Sequence, residues 1–248
     1  SRYADINLYG LPMVFESIEE AAYVRERMDA KLQQGLEDAG FISFGFAAGG
    51  FALIMSNSPV VKTDDMRGKR VWIPEGDSIS YGSMEALSLS PVTLPLTDVL
   101  TGLQTGLIDI VGISPIGALV LQWHTKVKYI SDLPLSYTMG LMVIDKKAFR
   151  KLSEPDQAVV RDVMTTLYEK FDEQNLVDNE GAFESLLKQK IELIEFDVED
   201  GNRLRAAMLE SNRKLGEEGA FSMDLYNEML AYVDEYRAQA SAVPASAD

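Results

Sequence analysis

Cysteine is absent from the 248 residues, and histidine occurs once, at His124. Without thiols the chain forms no disulfide, no thiolate metal site and no cysteine nucleophile. One histidine also excludes the HExxH metal motif and a Cys–His dyad. The segment GISPIG has no second glycine at the spacing of a GxSxG elbow, and AAGGFA lacks the lysine of a P-loop. We therefore expect no catalytic residues, no metal site, no cofactor and no enzyme activity.

Basic residues are also scarce, with 23 Lys and Arg against 39 Asp and Glu, which gives a formal charge of −16. Such a field repels phosphate backbones, so nucleic-acid binding is not expected. Most of the acids lie in helical patterns such as IEEAAYVRERMDAKLQQGLED, which is typical of solvated helix faces. No apolar run approaches the roughly 18 residues needed to span a bilayer.

Strand-like and helix-like patterns alternate along the chain. FISFGFAAGGFALIMS predicts two strands separated by glycines, and KRVWIP, PVTLP and LIDIVGIS predict single strands between helices. PIGALVLQWHTKV predicts a helix, and the segment from Lys128 to Asp145 predicts two further strands. A long, mostly helical segment runs from Ser153 to about Gln189, where Gly181 is a candidate interruption. This alternation predicts an α/β fold with mainly parallel sheets and a long helix joining two lobes.

The segment KRVWIPEGD brings charged and aromatic side chains close together in the sequence. Arg70 and Trp72 are two residues apart, so on a strand they point to the same face. Glu75 and Asp77 follow just beyond the strand. Aromatic, glycine and small polar residues at strand ends favour a preformed binding pocket. The alternatives are that Trp72 packs in a lobe core, that Arg70 is a surface charge and that Glu75 is a loop acid.

Several ordered blocks resemble one known family. DDMRGKRVWIPEGD, PVTLPLTDVLTGLQTGLIDIV and LQWHTKVKYI, preceded by GLPMVFESIEEA, resemble the DctP-type solute-binding proteins of TRAP transporters (tripartite, ATP-independent, periplasmic). The resemblance covers residues 7 to at least 175. It implies a two-lobed fold like that of periplasmic binding proteins, in which a small solute is captured as the lobes close.

The resemblance also implies a division into lobes. Lobe one is expected at 1–49 and 139–178, lobe two at 50–138 and 179–232, and the end of a helix with a flexible tail at 233–248. Family members carry a further βαβ portion before LPMVF that has no counterpart here. A lobe without its first strands would expose apolar surface, so a dimer is one expected compensation.

The family's carboxylate-binding arginine falls on Trp72 in this chain, and Arg70, on the same face, could partly substitute for it. A ligand-contacting polar position of the family falls on Glu75, an aromatic one on Leu96, and a small polar one on Ser114. Tyr137 lies near a crossover between the lobes. The expected ligand-binding residues are Arg70, Trp72, Glu75, Asp77, Leu96, Ser114 and Tyr137.

The implied function is that of a periplasmic solute-binding protein that delivers a small organic solute to the membrane permease subunits of a TRAP transporter. An intact carboxylate site would favour an organic acid, whereas Trp72 and Glu75 suit an amine or a neutral solute. Two alternatives remain. One is an interaction or scaffold relative that has lost ligand binding, and the other is an enzyme on a similar two-lobed fold.

Overall fold

The computed structural model describes residues 3–242, in which nine strands and eight α-helices occur with four short 3-10 helices. The strands are β1 Phe41–Ser43, β2 Ala47–Ser56, β3 Arg70–Pro74, β4 Ser90–Leu94, β5 Ile110–Ile113, β6 Tyr129–Ser131, β7 Ser136–Gly140, β8 Val143–Asp145 and β9 Glu192–Ile194. The α-helices are α1 Ile18–Asp38, α2 Ser78–Ala86, α3 Val99–Thr105, α4 Pro115–Val120, α5 Lys146–Phe149, α6 Glu154–Lys188, α7 Val198–Glu217 and α8 Met223–Ala242. The 3-10 helices are Ala4–Gly10, Thr63–Met66, Leu96–Asp98 and Trp123–Lys126.

Seven strands form one sheet, in which six follow the order β4-β3-β5-β2-β6-β9 and β7 pairs with β2. The pairs β3–β4, β3–β5 and β6–β9 are parallel. The long strand β2 is antiparallel to β5, β6 and β7. A separate antiparallel pair joins β1 and β8. The predicted α/β class is confirmed, and β2 connects the part of the sheet near β7 to the part near β5.

Side chains at the start of α1 fix this helix and its contact with α8. Ser17 caps α1 by accepting a hydrogen bond from the N–H of Glu20. The side chain of Glu20 accepts from the N–H of Glu16 and binds Arg237 on α8, with a Glu20 Oε1 to Arg237 Nε distance of 2.6 Å. This ion pair holds the last helix against the first.

Three segments differ from the predicted elements. The segment 41–56 contains the short β1 and the ten-residue β2, because Gly49 and Gly50 form a bulge within β2 and do not end it. The predicted helix from Pro115 ends at Val120, where Gln122 adopts a left-handed conformation with φ of 60°. Residues 128–145 form three strands, because Gly140 and the turn after it separate β7 from β8.

Gly181 does not interrupt α6, which is continuous over 35 residues. Helix α6 contacts two halves of the molecule, one that contains α1 and the start of β2 and one that contains β5 and α4. Its Asp172 accepts a hydrogen bond from the N–H of Ala48, and its Asn179 accepts one from the N–H of Ile116. The predicted long helix spanning both lobes is confirmed.

Separate hydrophobic clusters stabilise the two halves. The first includes Phe15, Met28, Phe46, Tyr137, Tyr226 and Met229. Two others cover the faces of the sheet around β3 and β5 and include Met55, Trp72, Trp123 and Leu186 on one side and Ile54, Val71 and Met208 on the other. Helix α8 therefore packs on the first cluster, although residues up to 232 are expected in lobe two.

The expected tail at 243–248 lies outside the described residues. Within residues 3–242 no helix is both long and apolar enough to cross a membrane.

The bulge in β2 gives the first prediction. Gly50 has φ of +75°, and a Cβ there would overlap the side-chain amide of Asn179. A left-handed conformation costs an L-residue about 1–2 kcal/mol, so Gly50→Ala is expected to lower the free energy of unfolding by at least that amount. Urea denaturation checks this, with Gly181→Ala as the matched control. Gly181 lies in a helix with open space at its Cβ, so that variant is expected to gain about 0.5–1 kcal/mol. Equal stabilities for the two variants would contradict the prediction.

Candidate functional site

Three of the predicted pocket residues follow the carboxyl ends of three adjacent parallel strands. Strands β3, β4 and β5 end at Pro74, Leu94 and Ile113. Asp77, Leu96 and Ser114 follow these ends within three residues. Ligands of open α/β sheets bind in the crevice outside the carboxyl ends of parallel strands. The topology therefore places these three residues at the edge where a ligand is expected.

A cavity of about 350 Å³ lies at this edge. Its walls come from the ends of β3 and β5, from α2 and α7, and from the start of β7. A more open cavity of about 520 Å³ adjoins it. The residues that line both are Asp77, Ser80, Ser136 and Thr138. We call the first the inner cavity, the second the outer cavity, and the two together the cleft.

Trp72 lines the inner cavity and is also part of a hydrophobic core, with 7% of its surface exposed. Its indole packs edge-to-face on Trp123, with ring centroids 5.2 Å apart. Its N–H donates to the carbonyl of Leu94 at 2.9 Å. Because that donor is occupied within the protein, Trp72 offers a ligand apolar contact only.

Asp77 lies where the two cavities meet and caps α2. One carboxylate oxygen accepts from the N–H of Ser80 at 3.0 Å, and the other accepts from the Ser80 hydroxyl at 2.6 Å. Glu75 is exposed and lines the outer cavity. These contacts place two carboxylates at the junction and in the outer cavity.

Leu96 and Ser114 line the inner cavity from the ends of β4 and β5. Leu96 is half-exposed, at 51%. Ser114 is buried, and its hydroxyl caps α4 by accepting from the N–H of Gly117 at 3.4 Å. The side chain of Asn179 accepts from the N–H of Ile116, at the same helix end. The backbone donors at this helix end are thus already bound by the protein.

Tyr137 lies on β7 between two residues that line both cavities. Successive side chains of a strand point to opposite faces, so Ser136 and Thr138 face the cleft while Tyr137 faces the first hydrophobic cluster. Tyr137 forms part of the outer cavity wall, but its hydroxyl accepts from Arg25, on the other side of the strand. The sequence predicted Tyr137 as a ligand residue, and its neighbours Ser136 and Thr138, which were not predicted, line both cavities.

Arg70 lies outside the cleft. It begins β3, so it lies at the amino end of the strand, away from the edge that carries the cavity. Its guanidinium forms a two-point ion pair with Asp109, with Nε–Oδ2 and Nη2–Oδ1 distances of 2.8 Å. Hydrogen bonding from Arg70 holds the pKa of Asp109 below its usual range. Of the two residues predicted to share a face of the strand, Trp72 lines the inner cavity and Arg70 does not.

A buried charge network lies behind Tyr137. Arg25 on α1 donates to Asp172 on α6 at 2.7 Å and to Asp29 at 3.1 Å. Burial acts to lower the pKa of Arg25, but the hydrogen bond to Asp172 and the charge of Asp29 outweigh it and raise that pKa. Arg25 therefore stays charged and joins α1 to α6 beneath the wall that carries Ser136 and Thr138.

Several inner-cavity residues were not predicted, and they include Met66, Met84, Leu135, Ser136, Thr138 and Met208. Met84 follows Ser80 on the same face of α2, four residues on, so the helical period could have indicated it. Met208 comes from α7, more than 130 residues after β3, and no local pattern indicates such a contact.

Two α/β halves joined by a long helix, with a cavity at the carboxyl ends of parallel strands, are typical of the two-lobed fold of periplasmic binding proteins. The sequence pattern of the DctP family, described as bacterial extracellular solute-binding protein family 7, matches residues 2–218. The chain belongs to this family.

Among curated relatives, the C4-dicarboxylate-binding periplasmic protein DctP of Rhodobacter capsulatus is 28% identical over 106 residues, which is 42% of this chain and 32% of that protein. An uncharacterised protein of Haemophilus influenzae is 26% identical over 199 residues, covering 78% of this chain and 56% of its own length. The chain thus spans about a third of the length of the first of these relatives and just over half of the second.

Among solved structures, a TRAP periplasmic solute-binding protein of Ralstonia eutropha with bound (S)-2-acetolactate has a TM-score of 0.85 at 13% identity, over 94% of this chain and 76% of that one. At 13% identity this likeness shows the fold alone.

Proposed function

We propose that the protein is the solute-binding component of a TRAP transporter and captures a small organic solute in the cleft. The observation that carries the proposal is the inner cavity, which lies at the carboxyl ends of β3, β4 and β5 in a member of this family. Its volume of about 350 Å³ falls within the range of small-molecule sites. The proposed role of the cleft is to bind a solute and not to catalyse a reaction.

The proposal includes the compartment and the partner. A component of this kind acts in the periplasm and delivers its solute to the membrane permease subunits. The lobes are proposed to divide at residues 49, 138 and 178, with α8 packed on lobe one. Strand β2 and helix α6 cross between the halves, so both are candidates for the segments that bend when the lobes close.

A thermal-shift screen of the protein against organic acids, amino acids, amines and sugars tests the proposal. A solute at a hundredfold excess over its Kd adds about 2.7 kcal/mol of stability. For a chain of this size we expect the melting temperature to rise by roughly 5–10 °C. Ser136→Trp, which fills the cleft, is expected to abolish the shift, and Ser90→Trp, at an exposed position on β4, is expected to keep it.

A second candidate is an interaction protein without a solute, and one observation favours it. Val159, Val163, Leu167 and Phe171 repeat every four residues on α6 and are 36–61% exposed. Such a stripe is suited to a protein partner or a second copy of the chain. Folded protein with no stabilising solute in the screen, together with a concentration-dependent mass in sedimentation, would favour this candidate.

A further inference from the structure

The inner cavity is apolar over most of its surface. Its walls include Ile54, Val71, Trp72, Met84, Leu135 and Met208. Hydroxyl groups are confined to Ser80, Ser114, Ser136 and Thr138. Ser80, Ser136 and Thr138 lie with Asp77 at the junction with the outer cavity, so the polar groups lie mainly at one end. A ligand that fits this surface has an apolar body and a polar group at one end.

The charge at that end is negative. Among the residues that the structure describes, Asp77 is the one charged side chain lining the inner cavity, and Glu75 joins it in the outer cavity. The nearby basic groups are bound elsewhere. Arg70 is paired with Asp109 outside the cleft, and Arg205 on α7 binds Glu16 at 3.0 Å and the carbonyl of Met13 at 2.9 Å. Within residues 3–242, a solute carboxylate at this end would therefore face Asp77 without a lining cation beside it.

Several backbone donors that could replace a cation are also bound by side chains of the protein. Helix N-termini bind anions through free N–H groups. At the start of α4, the N–H groups of Ile116 and Gly117 are bound by Asn179 and Ser114. At the start of α2, the N–H of Ser80 is bound by Asp77, so a carboxylate of the protein already lies at this helix end. A second carboxylate, from a solute, would be repelled there.

Asp77 retains the capacity to bind a donor. An ionised carboxylate has about four acceptor positions, and the contacts to Ser80 use two of them. An ammonium group carries up to three N–H donors, which suit Asp77 together with the hydroxyl oxygens of Ser136 and Thr138. A hydrogen bond between charged partners is stronger than one between neutral groups.

On the basis of the proposed function, we propose that the solute is a small organic cation, an amine on an aliphatic or aromatic body. Its ammonium lies against Asp77, and its apolar part fills the inner cavity beside Trp72 and Met84. This ligand class differs from the organic acid bound in the structure of the Ralstonia eutropha protein, (S)-2-acetolactate.

Calorimetric titration of the whole chain with three probes of one skeleton tests the inference. The probes are cyclohexylmethylamine, cyclohexylmethanol and cyclohexanecarboxylate. The amine is expected to bind at least tenfold more tightly than the carboxylate, with the alcohol between them. In Asp77→Asn, whose amide still caps α2, the affinity for the amine is expected to fall at least tenfold while that for the alcohol is kept. Asp98→Asn, an exposed acid outside the cleft, is the control and is expected to match the unmodified protein.

Each other outcome overturns the inference. Tighter binding of the carboxylate would reject the cationic class while leaving the proposed solute-binding function in place. Amine binding that is unchanged in Asp77→Asn would reject Asp77 as the binding group. Failure of all three probes would also reject the inference, and the thermal-shift screen then tests the proposed function. Stabilisation by solutes of another class would support the solute-binding function. A screen in which no solute stabilises the protein would reject that function as well.

Discussion

Replacing Trp72 by alanine is expected to lower the free energy of unfolding by about 3–5 kcal/mol, the range measured for large aromatic residues in protein cores. Trp72 is 7% exposed and packs on Trp123, which is itself 1% exposed. Truncation removes this packing, opens a cavity next to the inner cavity, and leaves the carbonyl of Leu94 without its donor. Because Trp72 also lines the cleft, solute affinity should fall in any fraction that remains folded.

Urea denaturation followed by circular dichroism measures this effect. Tyr81→Ala is the matched control, because Tyr81 is an aromatic residue 46% exposed on α2, and its loss is expected to change stability by about 0.5 kcal/mol. Trp72→Phe separates packing from ligand contact, since it keeps an aromatic face at the cavity. If Trp72→Ala lost affinity but kept its stability, Trp72 would be a ligand residue without the core role assigned to it here.

The second large effect is expected for Arg25. Substitution by methionine removes the charge but keeps much of the length of the side chain, so Asp29 and Asp172 lose their shared cation. Removing one partner from a buried ion pair costs about 3–5 kcal/mol. We expect about 3 kcal/mol, the low end, because the side chains of Asp29 and Asp172 are 28% and 32% exposed.

The contrast with a surface arginine makes the test specific. Arg213 also binds two carboxylates, those of Glu210 and Glu217, but it is 53% exposed. Exposed ion pairs contribute about 0–1 kcal/mol, so Arg213→Met should stay within about 1 kcal/mol of the unmodified protein. In the double variant Arg25→Met with Asp172→Asn, part of the lost stability should return. Equal losses for Arg25→Met and Arg213→Met would show that burial does not set the importance of the Arg25 network.

The sequence predicted the fold class because its signals are local and ordered. The cap at Ser17, the proline at the start of α4 and the alternation of strands and helices each act within a few residues. Residues that follow strand ends were also predictable. Asp77, Leu96 and Ser114 all line the inner cavity because β3, β4 and β5 are parallel and share one edge.

The remaining parts of the site depend on contacts between distant residues. Arg70 is paired with Asp109, which lies 39 residues away along the chain. The face of β7 that lines the cleft is set by its pairing with β2, and this pairing decides between Tyr137 and its neighbours. Helix α7 contributes Met208 from the far end of the chain. Local periodicity carries no information on these three arrangements.

A crystal structure of the protein with the most stabilising solute of the screen tests the central claim most directly. We expect density for the solute in the inner cavity, in contact with Trp72 and within hydrogen-bond distance of Asp77, Ser136 or Thr138. Density outside the cleft, for example in the open cavity of about 540 Å³ between α1 and α6 that Arg25 and Tyr168 line, would contradict the account. The protein would then bind a solute at a different site from the one proposed.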